Sequence, residues 1–242
     1  MSDRGNASVF TLEPLGETTL LLRFGDRIDI ETNARVHAAA ATLRSANLPG
    51  IVDIVAAYAS LALIYVPALW VGETRLPWRR LTEAVRALLD TPPAFAEQVA
   101  TTTEIPVCYG HAGGPDLEAV AHHCGLSIEA VITRHAGADY RVAMLGFAPG
   151  FAYLIGLDPM LQTPRRANPR QRVPRGSVAI GGLQTGVYAD ELPGGWQVIG
   201  RTPLLLFNAT RTPACLLAAG DHVRFRAIGV DEFAALERRI AP

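Results

Sequence analysis

The chain is predicted to be an α+β protein of two domains: a small α/β sandwich over residues 1–92, a linker over 93–102, and a β-rich barrel or sandwich over 103–242. Three observations carry this prediction. The first ninety residues alternate strand-like and helix-like patterns in the order β-β-α-β-β-α. Prolines and then a run of threonines break the pattern at 91–103. After Tyr140 the helical periodicity gives way to short β-rich runs separated by Gly/Pro turns.

Residues 9–13 and 19–24 read as two strands, with Pro14-Leu15-Gly16-Glu17 as the turn between them. Residues 30–46 are alanine-rich with apolar positions at helical spacing, and Pro49-Gly50 stops that helix. Residues 51–57 and 61–66 are two further strands. Residues 77–89 form an amphipathic helix with Thr74 as its expected cap. In the second half, 103–109 resumes as a strand, and 116–124 and 127–135 are short helices opening on the N-cap residues Asp116 and Ser127. Strand-like runs follow at 140–145, 177–180, 196–200, 204–207 and 222–226, and 231–240 is a terminal helix.

Composition narrows the function. The chain has 242 residues, is 49% hydrophobic and carries a net charge of -1, so no global basic field exists to drive nucleic-acid binding. All 22 basic residues are arginine, which excludes a Schiff-base, Walker or biotinylation lysine on this chain. The three cysteines, Cys108, Cys124 and Cys215, are too scattered for a disulfide framework or a metal pair. The N-terminus lacks an apolar signal core, and the apolar run 54–71 is broken by Ser60 and Pro67. A cytoplasmic protein that neither spans a membrane nor binds nucleic acid is expected.

The chemistry concentrates between Pro159 and Ala189, where five arginines stand without one carboxylate. Pro164, Pro169 and Pro174 punctuate the run, which places the arginines on a stiffened loop. Arginine forks bind carboxylate and phosphate bidentately. Arg165, Arg166 and Arg170 are therefore the expected anion-binding set. Phe151, in a Gly/Pro/aromatic loop before the run, and Trp196, after Pro193-Gly194-Gly195, supply walls for a flat ligand. Gln184 and Thr185 sit in a Gly-rich turn without phosphate-loop spacing and offer neutral donors and acceptors. Arg201 adds a sixth arginine near the same mouth. His135 is the candidate general acid or base, and Tyr188 contributes a phenol. His122-His123-Cys124 cannot share one metal, because adjacent helical residues point about 100° apart; no metal is expected.

Several segments together resemble a known family. They are residues 142–154 (VAMLGFAPGFAYL), the TPRRxxPRxxVPxGSVAI run from Thr163 to Ile180, Gln184-Thr185-Gly186, and PGGWxxIGRTP from Pro193 to Pro203, with Gly114-Pro115-Asp116-Leu117 and Gly220-Asp221-His222-Val223-Arg224-Phe225 also fitting. The chain is similar in these to the B subunit of bacterial ATP-dependent 5-oxoprolinase. That family also carries the labels KipI, allophanate hydrolase subunit 1 and the first half of the urea carboxylase carboxyltransferase domain. The resemblance implies a cyclophilin-like β-barrel for the C-terminal domain. It implies two partners, the enzyme's C subunit (KipA-like) and its A subunit. It also implies ATP-driven opening of 5-oxoproline to glutamate, with the A subunit needed for full activity; which subunit holds ATP stays open, and a chain without a lysine phosphate loop, a nucleophile or a metal cluster is expected to be inactive alone. The alternatives are a urea- or allophanate-related carboxyltransferase subunit, or a KipI-like inhibitor of a histidine kinase.

Overall fold

The computed structural model describes residues 10–72, 75–90 and 102–240. The chain divides into two compact units, Met1–Gln98 and Val99–Pro242. The expected linker falls almost wholly at 91–101, outside the described residues, and so does the expected cap Thr74.

The first unit contains β1 (Thr11–Pro14), β2 (Thr19–Arg23), α1 (Ile30–Ala46), β3 (Ile51–Ala56), β4 (Ser60–Tyr65) and α2 (Pro77–Leu89). The strands form one antiparallel sheet in the order β1-β2-β4-β3. Strand alternation sends Leu20, Leu22, Leu61 and Leu63 to one core, shared with Val36, Ala40 and Leu43 of α1 and Leu81 and Val85 of α2. Asp29 caps α1 by accepting from the Thr32 N–H at 2.7 Å. Asn47 ends that helix in the left-handed region, before the expected Pro49-Gly50 stop. The N-cap position of α2 is Leu76, and Pro77 opens the helix with its fixed φ in place of a side-chain cap.

The second unit contains β5 (Thr102–Tyr109), α3 (Leu117–Cys124), α4 (Ile128–Gly137), β6 (Tyr140–Leu145), β7 (Ala152–Ile155), β8 (Arg170–Val173), β9 (Ser177–Gly181), β10 (Gln184–Val187), β11 (Leu192–Gly194), β12 (Gln197–Arg201), β13 (His222–Ala227) and α5 (Val230–Ile240). Seven strands close a barrel in the order β10-β7-β6-β13-β5-β12-β9, and β9 pairs back onto β10. This decides between barrel and sandwich. All the pairings are antiparallel except β13 with β5. Inward-pointing Ile105, Val107, Val142, Leu154, Val178, Ile180, Val187, Ile199 and Val223 fill the interior together with Leu117, Val120 and Val131 from α3 and α4.

β9 has apolar residues on both faces. Val178 and Ile180 face the barrel core, while Ala179 between them belongs to a second layer with Phe151, Val173, Tyr188, Trp196 and Val198. A two-stranded ribbon of β8 and β11 packs over this layer through Val173 and Leu192.

The strands β7, β8, β10 and β11 are not among those expected from the sequence. Arg170 and Arg172 lie on β8, not on a loop, because the ribbon with β11 gives that segment a ladder partner. Residues 204–207 form no strand; only Phe207 makes an isolated bridge, to Cys215.

The turn from β5 to α3 is pinned against β12. Gly110 N–H donates to the Ile199 carbonyl at 3.0 Å and Asp116 N–H to the Val198 carbonyl at 2.9 Å. A Cβ at Gly114 would lie 2.2 Å from the Ile199 carbonyl oxygen. Gly114→Ala is therefore expected to cost about 1–3 kcal/mol of second-unit stability by forcing backbone apart. Gly137→Ala, with no atom in the way, is expected to change it by about 0.5 kcal/mol or less, or to stabilise slightly. Urea unfolding of the two variants checks this. Equal effects would contradict the close approach at Gly114.

Candidate active site

Asp116 stands at the N-cap position of α3, yet its side chain makes no capping hydrogen bond. It turns to the arginine run. Its Oδ1 accepts from Arg166 Nη1 at 2.9 Å and from Arg170 Nη2 at 2.8 Å. Its Oδ2 accepts from Arg170 Nη1 at 2.7 Å and from the Val198 backbone N–H at 2.7 Å. Asp116 is 4% exposed. Two of the three arginines expected to hold an external anion are thus committed to a buried internal carboxylate. Arg170 does so bidentately, the fork geometry that makes arginine pairs strong.

Arg165 is different. It is exposed, no ion pair or hydrogen bond of its side chain is found among the described residues, and its guanidinium carbon lies 5.8 Å from the centroid of the Trp196 ring. The segment carrying it is fixed on both sides. Gln197 Nε2 donates to the Pro164 carbonyl at 2.9 Å, and Arg166 N–H donates to the Gly195 carbonyl at 2.7 Å.

Trp196 lies over Gly181, where a Cβ would meet the indole at 2.7 Å, and close to Gly186. Its neighbours are Phe151, with ring centroids 5.9 Å apart, and Tyr153, at 5.8 Å. Phe151 also packs edge-on against Tyr188 at 5.3 Å and against the exposed Phe147 at 5.4 Å. Gln184 pairs in register with Gly181, and directly opposed residues of an antiparallel pair share a face, so Gln184 rises on the Trp196 side. The outer layer therefore assembles one uncommitted cation, an indole, the half-buried Tyr153 and an amide, floored by Phe151 and Tyr188. Groups of these kinds can contact the face of a flat molecule and pair with an anionic substituent.

Three expected site residues lie elsewhere. His135 is 0% exposed and stacks on Phe225 at 4.6 Å. Its Nδ1 meets the Tyr109 hydroxyl at 2.8 Å and its Nε2 meets Thr185 Oγ1 at 2.9 Å. Thr185 donates its own hydroxyl proton to the Ala179 carbonyl at 3.0 Å. This assigns the Nε2–H tautomer, with Tyr109 donating to Nδ1. Burial lowers the His135 pKa to about 3, so the ring is neutral and both nitrogens are occupied. A general acid or base needs a free nitrogen within reach of substrate, and His135 has none. Thr185 is 0% exposed inside the barrel and serves His135, not a ligand. Arg201 turns toward α5: it donates to the Arg175 carbonyl at 3.0 Å, pairs with Glu237 at 3.6 Å and lies over Phe233.

Tyr188 is 2% exposed, and desolvation raises its pKa. It acts as a neutral floor of the aromatic layer, not as a catalytic phenol. Among the described residues no group of three His, Cys, Asp or Glu side chains is placed to hold a metal. No helix among them is long and apolar enough to cross a membrane. Asp116 and Tyr153 are the site residues that sequence reasoning missed. The absence of any carboxylate within the arginine run was the available signal, since partly buried arginines draw a counter-charge from elsewhere.

Residues 10–217 match the carboxyltransferase domain, subdomain C and D, and the chain belongs to this family. It is 41% identical to the B subunit of 5-oxoprolinase from Bacillus subtilis (strain 168) over 230 residues, covering 93% of this chain and 96% of that one. It superposes on the crystal structure of TTHA0988 with a TM-score of 0.74 at 39% identity, covering 87% of this chain but only 40% of that longer one. The urea amidolyase of Kluyveromyces lactis shares the fold at a TM-score of 0.74 and 17% identity, over 96% of this chain and 15% of that one.

Neutral burial of His135 ties stability to pH. A histidine whose folded pKa lies below its unfolded value of about 6.5 contributes its full stability above that value and loses it as pH falls toward 3. The expected contribution is a slope of about 1.4 kcal/mol per pH unit across that window. His135→Gln should be less stable at pH 7 and should lack this component of the slope. Denaturant unfolding of both proteins from pH 7 to pH 4 measures it. Parallel slopes would show that His135 is not held neutral.

Proposed function

We propose that this chain is the B subunit of a multi-subunit, ATP-dependent 5-oxoprolinase that opens 5-oxo-L-proline to L-glutamate. The observation that carries this reading is 41% identity with the B subunit of a 5-oxoprolinase over nearly the full length of both chains. The outer layer suits the substrate. 5-Oxoproline is a planar lactam bearing one carboxylate; Arg165 matches the carboxylate, Trp196 and Tyr153 match the ring, and Gln184 offers its amide to the lactam.

The chain does not supply a Walker-type phosphate loop. The chain has no lysine, and the turn at 181–186 lacks phosphate-loop spacing. ATP is therefore assigned to a partner chain. The partners are the C subunit (KipA-like) and the A subunit of the enzyme, in the cytoplasm. With His135 and Tyr188 buried, the groups left facing the outer layer bind and orient; they do not cleave. Such groups become catalytic when a partner brings the reacting group to short range.

The family's carboxyltransferase description gives the second reading, a role in chemistry on urea- or allophanate-type amides. A glutamate assay on this chain, on the A and C subunits, on each pair and on all three separates the readings. Glutamate formation dependent on both ATP and 5-oxoproline is expected only from the triple mixture. Full activity without this chain would overturn the assignment. A silent mixture of folded proteins would move it to the carboxyltransferase or to a KipI-like kinase inhibitor.

A further inference from the structure

The sequence offers Arg165, Arg166 and Arg170 as equivalent anion binders, but Asp116 makes them unequal. One carboxylate has about four acceptor positions, and here all four are used: three by Arg166 and Arg170, the last by the Val198 N–H. The carboxylate is buried, so its partners cannot swing out to a ligand without leaving a charge unpaired in the interior. Arg165 lies between Pro164 and Arg166, both tied by their backbones, and stands over Trp196.

Asp116 gives α3 its backbone carbonyl, which accepts from the Val120 N–H at 2.9 Å, but its side chain forgoes the capping bond. An aspartate placed at a cap position that does not cap, and that instead consumes two of three neighbouring cations, has a selective effect on the site. We infer that Asp116 is a positioning residue that reserves the ligand's anionic group for Arg165, and so fixes both where and in which orientation a carboxylate-bearing ligand sits on the Trp196 face. Removing its charge would free two guanidiniums beside the first. An anion would then find three competing forks in place of one, and a carboxylate ligand would lose its single seat.

Inorganic sulfate is the probe, because it reports anion capacity whether or not the 5-oxoprolinase reading holds. Calorimetry on the whole chain should show weak sulfate binding in the wild type, at least tenfold tighter binding in Asp116→Asn, and none detectable in Arg165→Gln. The assembled three-protein enzyme gives a further readout, which rests on the proposed function. There, Asp116→Asn should raise the KM for 5-oxoproline at least tenfold with kcat within threefold. Sulfate should compete with 5-oxoproline in both the wild type and that variant, and at least tenfold more strongly in the variant. A merely structural aspartate would lower kcat or the amount of folded protein and would leave sulfate sensitivity unchanged. Unaltered sulfate affinity in a folded Asp116→Asn overturns the inference. If Asp116→Asn does not fold, the exposed Arg165→Gln decides: sulfate binding at the wild-type affinity there means that Arg166 and Arg170 are open to ligand, and the inference fails. A silent enzyme mixture with the expected sulfate pattern would count against the 5-oxoprolinase reading only.

Discussion

The carboxylate of Asp116 is the interaction on which the second unit's outer face depends. It joins the start of α3, the arginine segment, β8 and β12 at one buried point. Removing one partner of a fully buried, hydrogen-bonded ion pair costs about 3–5 kcal/mol, and less is at stake here because the Arg166 and Arg170 side chains stay 34% and 23% exposed. The tie is stiff at both ends. The 110–115 turn is locked to β12 through Gly110 and Gly114, and Arg170 is locked to β11 through the ribbon. Arg165 inherits its place from this frame.

The second constraint is the two-faced sheet. Strands of a small barrel alternate inward and outward side chains, and most barrels leave the outward set polar. Here β9, β10, β7 and β12 carry Ala179, Gly186, Tyr153 and Val198 outward, and the glycines on this face let Trp196 lie down close to the backbone. A large aromatic at Gly181 or Gly186 would lift the indole and close the place beneath Arg165. The barrel interior, by contrast, is kept dry by a polar knot that is fully satisfied: Tyr109, His135, Thr185 and the Ala179 carbonyl form one hydrogen-bonded chain. The outer aromatic layer and the neutral histidine inside are separated by the thickness of one strand.

Much of the architecture is legible in the sequence. Periodicity gives α1 and α2 of the first unit with the boundaries the structure shows, and strand-like runs with Gly/Pro turns give the β-rich character of the second. The ribbon strands β8 and β11 are illegible because each is short, rich in Arg, Pro or Gly, and is a strand only through the other. Residues 204–207 mislead for the opposite reason: apolar and β-compatible, they form no strand, and only Phe207 makes a bridge. Of the residues composition singles out, the fold brings Arg165, Trp196, Phe151 and Gln184 to one face. It misassigns His135 and Thr185, whose residue types suit catalysis or binding as well as a buried network, since burial is a tertiary property. Local sequence makes Asp116 a cap, and only the contact across fifty residues shows its use.

The coupling between Asp116 and Arg170 is the most direct measure of whether this clamp holds the face together. A double-mutant cycle with Asp116→Asn and Arg170→Gln, followed by denaturant unfolding of the second unit, isolates it. A coupling free energy of about 2–3 kcal/mol is expected, with the double variant more stable than the sum of the single losses implies, because the two charges go together and only Arg166, one-third exposed to water, loses its carboxylate. Additivity within about 0.5 kcal/mol would contradict it and would make the pairing an incidental contact on a face held by its aromatics alone.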